Sequence, residues 1–206
     1  MTMTIGVVCD GDAEVQVLSE LLQKFNGNGI EFGRVVYADM QPLAPVGQIV
    51  RAAIPKLPIL RARGAQLIAV VIDREGGGEC PGVRAAQIGA GFIGAGHNDV
   101  VVVVKDRKLE NWLIASAEEI NGVSGFSISE GLVRRIQRAG SDAISDAARE
   151  LQNCARRDYA KRRDAIRFAQ VANKLSLELR SRSFRRLLRV CGDVRFQTQS
   201  VAPLRG

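Results

Sequence analysis

No stretch of this 206-residue chain stays apolar for the ~20 residues that a bilayer span requires, so no membrane-crossing helix is expected. The first residues carry no basic cluster and turn acidic by Asp10, which argues against a secretory leader. Cysteine is sparse: Cys9, Cys80, Cys154 and Cys191 are widely scattered and form no pair at metal-ligand spacing. That usage fits a reduced, cytoplasmic protein. The single histidine, His97, sits among Gly94, Gly96 and Asn98 and reads as a loop residue. There is no internal repeat and no low-complexity tract. Gly76, Gly77 and Gly78 form a glycine run that could cradle a phosphate, but they match neither a Walker nor a Rossmann pattern, so a plain turn is the simpler reading.

What is present is an ordinary apolar content, 46% hydrophobic residues with 25% charged, enough for a sizeable core in one domain or one domain with an appendage. The charge is unevenly placed. Residues 1–100 hold 8 Lys and Arg against 10 Asp and Glu, a net of −2, while residues 101–206 hold the other 21 against 12, a net of +9. An acidic half suited to cations is joined to a basic half suited to polyanions.

Leu67-Ile68-Ala69-Val70-Val71-Ile72 is an unbroken apolar run that stops at Asp73-Arg74-Glu75, the pattern of a strand buried on both faces of a parallel sheet. Ile5-Gly6-Val7-Val8-Cys9 is a similar strand ending at Asp10, followed by a helix from about Ala13 to Phe25 and a turn at Asn26-Gly27-Asn28-Gly29. Arg34–Ala38 reads as a second strand. A helix over about Val46–Arg63 is interrupted by Pro55 and Pro58, and another covers about Val83–Ile93. Asp99-Val100-Val101-Val102-Val103-Val104 is a fourth strand ending at Lys105-Asp106, and a helix opens at Leu109 with Trp112 as a core residue. Strands alternating with helices predict parallel βαβ units. Beyond Ser124-Gly125 the chain reads as helical almost to Val190, with breaks near Gly140 and Ser181. The expected organisation is an α/β core over 1–116 and a helical basic appendage over 117–206.

Asp10 follows strand one, and Asp73 and Glu75 follow strand three. In the common 2-1-3-4 strand order these ends meet in one crevice, where open α/β sheets place their ligands. Glu14, four residues after Asp10, points back to the same end, and Glu110 lies just past strand four. Asp73 and Glu75, two apart in extended backbone, are expected to share a cation. Several carboxylates in one crevice repel unless a hard divalent cation, Mg²⁺ or Mn²⁺, offsets them, and such an ion activates water for phosphoryl chemistry. Taken singly, any of these acids also reads as a solvated surface group. Lys105 could neutralise charge on a phosphoryl group, or be an exposed strand-end lysine.

Val8-Cys9-Asp10-Gly11-Asp12-Ala13-Glu14 resembles the first Toprim motif, and Val71-Ile72-Asp73-Arg74-Glu75 resembles the second. Leu109-Glu110-Asn111-Trp112-Leu113 resembles the acid-plus-Trp segment of Toprim proteins related to the overcoming-lysogenization-defect nucleases. Tyr159-Ala160-Lys161 and Ser181-Arg182-Ser183-Phe184-Arg185 are similar to the tail of a small uncharacterised Toprim-like family, whose members are often encoded beside an ABC- or AAA-type ATPase. The resemblance implies a four-stranded parallel Toprim-like sheet flanked by helices. It further implies a metal-dependent phosphodiesterase acting on DNA or RNA, in anti-phage defence with that ATPase. It makes Asp10, Glu14, Asp73, Glu75 and Glu110 the metal ligands, and Asp10, Glu14, Lys105 and Glu110 the catalytic set. The first acid is usually Glu in Toprim proteins and is Asp10 here, one methylene shorter. A response-regulator receiver also combines strand-end acids with a lysine, but the 32 residues from Asp73 to Lys105 leave room for one crossover unit where a receiver needs two.

At 100° per residue, a helix over about Arg156–Leu175 would gather Arg156, Arg163, Arg167 and Lys174 on one narrow ridge opposite Ala165, Phe168, Ala169, Val171, Ala172 and Leu175. Extended by Arg182, Arg185 and Arg186, that ridge is expected to track a nucleic-acid backbone; the plain alternative is a solvated face. The expected partners are nucleic acid, the ATPase and a second copy of the chain, and no membrane. The alternative function is a non-catalytic nucleic-acid-binding or regulatory subunit.

Overall fold

A computed structural model describes residues 2–75 and 78–197. Gly76 and Gly77 of the glycine run lie outside the described residues. Four strands, β1 (Met3–Cys9), β2 (Ile30–Tyr37), β3 (Leu67–Ile72) and β4 (Val100–Val104), form one parallel sheet in the order β2-β1-β3-β4. This is the expected strand order, in an α/β fold with a four-stranded parallel sheet flanked by helices. Strands β3 and β4 are apolar throughout because both faces of the sheet are covered there. Val8, Ile68, Val70, Ile72, Val102 and Val104 face one side, and Ile5, Val7, Cys9, Ala69, Val71 and Val103 face the other.

The connections follow the sequence. Helix α1 (Glu14–Gln23) buries Val17, Leu18, Leu21 and Leu22 and ends before Gly27, Asn28 and Gly29, all at positive φ. The proline-interrupted segment breaks as anticipated, into α2 (Val46–Ala53), a 3₁₀ turn at Ile54–Lys56 and α3 (Leu57–Arg61). Helix α4 (Pro81–Gly94) joins β3 to β4. At Gly6 β1 passes close to this layer: a Cβ there would meet Leu60 and Ala65 at 3.0 Å.

Past β4 come α5 (Leu109–Ile114), α6 (Ala117–Ile120), α7 (Glu130–Ala139), α8 (Ala147–Cys154), α9 (Lys161–Val171), α10 (Lys174–Arg180) and α11 (Arg182–Val190). Among the described residues, none of these helices is long and apolar enough to cross a membrane. The later helices cover the α1 side of the sheet. Phe184 of α11 lies 4.7 Å from Phe25 and 5.0 Å, edge-on, from Trp112, and Trp112 Nε1 donates to Ser183 Oγ at 2.8 Å. One apolar cluster therefore runs across position 117.

The single helix expected over 156–175 is a correction. Arg156 and Arg157 precede α9 in irregular backbone, and Ala172-Asn173 separates α9 from α10, where Asn173 caps Ser176. Ala165, Phe168, Ala169 and Ala172 are buried as the apolar stripe required, but Val171 and Leu175 are exposed. The break takes Leu175 out of the stripe, and Val171 is the last residue of α9.

Candidate functional site

Strand register builds the site. Cys9 pairs with Val71, and Ile72 with Val104, so the residues just past β1, β3 and β4 (Asp10, Asp73 and Lys105) end up side by side. Asp10 Oδ2 accepts the Asp73 N–H at 2.8 Å, which locks the two strand ends together. Glu14, the first residue of α1, closes the group. Its carboxyl end turns back over Gly11, where a Cβ would meet Glu14 Cγ at 2.8 Å. Asp10, Glu14 and Asp73 each place a carboxylate oxygen within 4.8 Å of the others.

A lysine stands in this triad. Lys105 is fully buried, with Nζ 2.7 Å from Asp73 Oδ1, 2.9 Å from Glu14 Oε2 and 3.8 Å from Asp10 Oδ1. The same ammonium lies 5.7 Å from the centre of the Trp112 ring. Burial pushes its pKa down, but Asp73, Glu14 and Asp10 together outweigh burial and hold it well above the ordinary value. The acids are shifted up as well, which for a carboxyl disfavours the charged form. Burial, joined by the negative charge of Asp73, raises Asp10, and burial raises Glu14 to about 7 despite Lys105. Burial and Glu14 push the neighbouring Cys9 thiol up to about 12. Lys105 is thus neither exposed nor peripheral. It arrives from the strand next to β3, after one crossover.

The donor chemistry suits a hard divalent cation. The triad offers only carboxylate oxygens, and Asp10 Oδ1 and Asp73 Oδ1 are buried without a well-formed hydrogen bond, the latter held by Lys105 as an ion pair. With all three carboxylates ionised, as a bound cation would require, one ammonium leaves two negative charges, the complement of a divalent ion. A cation there would share its space with the Lys105 ammonium.

Two expected ligands stand outside the triad. Glu75 is exposed: Asp73 turns inward to Lys105, so the two side chains do not converge. Glu75 instead lines, with Asp73, Arg74, Glu79 and Arg84, a cleft of about 360 Å³ over Ile72, Ile88 and Val104. Glu110 is buried but pairs with Lys161 at 3.1 Å, and among the described residues its Oε2 has no hydrogen bond. The Tyr159 hydroxyl is likewise buried and has no hydrogen bond among the described residues. Burial, then Glu110, raises the Tyr159 phenol. Lys161 borders the triad closely enough for Glu14 and Asp73 to help raise its pKa against burial, after Glu110.

The expected cationic ridge divides. Arg156, Arg163 and Arg167 do come together, lining an open cavity with Arg157, Ser124 and Gly125. Lys174 is elsewhere, its Nζ 5.4 Å from the Phe25 ring centre. Arg182 is paired with Asp106 at 2.7 Å, Arg185 donates to the carbonyls of Glu178 and Leu179, and Arg186 lies against Gly82 of α4. These three tie α11 to its neighbours instead of extending a ridge. Sequence reasoning passed over Arg157, Lys161 and Asp164, of which only Lys161 fell within a quoted motif. Compared with models of protein families, with curated proteins and with solved structures, the chain matches none.

Proposed function

We propose that this protein is a metal-dependent phosphodiesterase acting on DNA or RNA. The observation that carries the reading is the buried triad Asp10, Glu14 and Asp73 at the carboxyl end of a parallel sheet, with Asp73 opening onto the adjoining cleft. Asp10, Glu14 and Asp73 would hold Mg²⁺ or Mn²⁺. When bound, such an ion lowers the pKa of a water and offsets charge on a phosphoryl oxygen. Lys105 fixes Asp73 and Glu14 in place and cancels part of the negative charge that would repel a phosphate. In this reading Glu110, paired with Lys161, would orient water or support a second ion, and Glu75 lines the cleft. The scattered free cysteines fit a cytoplasmic setting. A role in anti-phage defence beside an ABC- or AAA-type ATPase rests on the Toprim-like resemblance, and the identity of the neighbouring gene tests it.

One observation favours a second reading. With Lys105 ion-paired to all three acids, the triad is already partly satisfied, as in a non-catalytic subunit that keeps the fold. Plasmid and RNA cleavage in Mg²⁺ or Mn²⁺, beside Asp73→Asn and an EDTA control, separates the two. The nuclease reading expects cleavage by wild type alone. Equal cleavage by the variant would reject it, because a contaminant would then be responsible. Calorimetric titration should show wild type binding Mn²⁺ more tightly than a variant lacking Asp10 and Asp73. Equal, negligible binding would support the subunit.

A further inference from the structure

On the far side of α9 from Lys161, four guanidiniums surround one open cavity of about 520 Å³, those of Arg156, Arg157, Arg163 and Arg167. They are organised around a single buried acid. Asp164 is fully buried, and its two oxygens accept Arg157 Nη1 and Nη2 at 2.9 and 2.6 Å, the Ala160 N–H at 2.8 Å and Arg163 Nε at 3.3 Å. Arg167 Nη1 is 3.6 Å away. Among the described residues no other carboxylate forms an ion pair with these arginines. Four positive charges against one negative leave an excess of three around one hollow. A purely structural acid needs one arginine; the others add like-charge repulsion that a bound anion would relieve.

The cavity is also held in shape. Arg157 is gripped at both ends of its guanidinium by Asp164 and lies 5.5 Å from the Phe126 ring centre. Phe126, Tyr159 and Phe168 form an aromatic cluster beneath it. Arg167 donates to the Ser124 carbonyl at 3.2 Å. The rim is tied to the chain before α9 by Arg156 N–H to Gly125 O at 2.9 Å and Ser127 N–H to Cys154 O at 2.9 Å. Gly125 sits at φ +91°, and a Cβ there would come within 3.5 Å of Arg157 Nε. A solvated helix face does not fix its arginines in this way. For Arg157 and Arg167 the ordering that a ligand would otherwise have to impose is already present, and they hold the wall against which the other two close. Arg156 and Arg163 keep donors free toward the hollow, and the planar fork of arginine matches tetrahedral oxyanions.

We propose that this hollow is a phosphate-binding site, with Asp164 as its positioning residue and Arg156 and Arg163 as the donors to the ligand. The ligand chemistry is a phosphate ester, carried either by a small phosphorylated molecule or by a polynucleotide strand. Only the second source rests on the nuclease reading. The site itself needs no metal, so phosphate binding measured in EDTA can fail independently of that reading.

The test is calorimetric titration of the full chain with inorganic phosphate, paired with anisotropy of a labelled single-stranded oligonucleotide, both in EDTA at constant ionic strength. The variant is Arg156→Gln with Arg163→Gln. The control is Arg134→Gln with Arg138→Gln, which removes the same charge from the exposed face of α7. Wild type and control should bind phosphate alike, and the double variant at least about tenfold more weakly. Arg156 has no side-chain partner among the described residues, so Arg156→Gln alone tests the site if the double variant misfolds. Parallel loss of oligonucleotide binding identifies a strand as the ligand. Unchanged oligonucleotide binding with weakened phosphate binding identifies a small phosphoester. No phosphate binding by wild type, or equal weakening in variant and control, overturns the proposal.

Discussion

Lys105 Nζ stands 2.7 Å from Asp73 Oδ1, wholly removed from solvent, so the ends of two adjacent strands are joined by a buried ion pair. Because Glu14 and Asp10 share the same ammonium, its removal leaves three buried acids uncompensated.

Lys105→Met should therefore destabilise the metal-free protein by about 3–5 kcal/mol, the range for breaking a buried pair from one side. Added Mn²⁺ should raise the melting temperature of the variant more than that of wild type, since it would supply the missing positive charge. Thermal unfolding with and without Mn²⁺ checks both statements. A variant as stable as wild type in EDTA would show that the triad does not depend on Lys105.

Asp164 gives a pH signature. Burial pushes its carboxyl up, but hydrogen bonds from Arg157, the Ala160 N–H and Arg163 outweigh burial and hold it well below the ordinary value of 3.8. A depressed native pKa means that the unfolded chain takes up the proton first on acidification. The stabilisation is present above the ordinary value and is lost as pH falls below it. Asp164→Asn should cost about 3 kcal/mol at neutral pH. The gap to wild type should narrow at about pH 3, as read from urea midpoints. A pH-independent gap would count against the ion pairing.

Cysteine reactivity should be ranked. Cys80 is exposed, and the Gly82 and Val83 N–H groups at the start of α4, with Arg186 and Arg182 nearby, lower its pKa. Burial raises Cys9, Cys154 and Cys191. Mass-resolved iodoacetamide labelling of the native protein should find Cys80 modified first, and equal rates at all four would contradict the placement.

Phe184 tests how the two parts of the chain cohere. It packs between Phe25 and Trp112, so Phe184→Ala should cost about 3–5 kcal/mol and lower one cooperative transition. Two separate transitions, with only one of them shifted, would mean that the later helices unfold apart from the sheet.

Much of the fold was legible because its signals are local. Unbroken β-branched runs ending in acids mark strands covered on both faces, and proline at positions 55 and 58 marks the break between α2 and α3. The convergence of Asp10, Glu14 and Asp73 followed from strand order, since every parallel strand ends on the same side of the sheet. The break at Ala172-Asn173 was less visible, because Ala172 is compatible with helix and Asn173 marks the break only through its cap on Ser176 and its N–H donated to Ser116 Oγ at 3.0 Å.

The sequence by itself determined the strand-end position of the acids and of Lys105, because a parallel sheet with this chain order leaves those residues nowhere else to go. Tertiary structure decided what they do to one another. Whether a strand-end lysine reaches water or turns inward depends on the α5 side chain that lies against it, Trp112, itself packed against Phe184 of α11, and not on the strand that carries it. The same holds for Glu75, Glu110 and the arginines. Their charges are written in the chain, but a charge acts through distance and burial. Those were set only when α9 laid Lys161 beside Glu110 and brought Asp164 beneath its arginines.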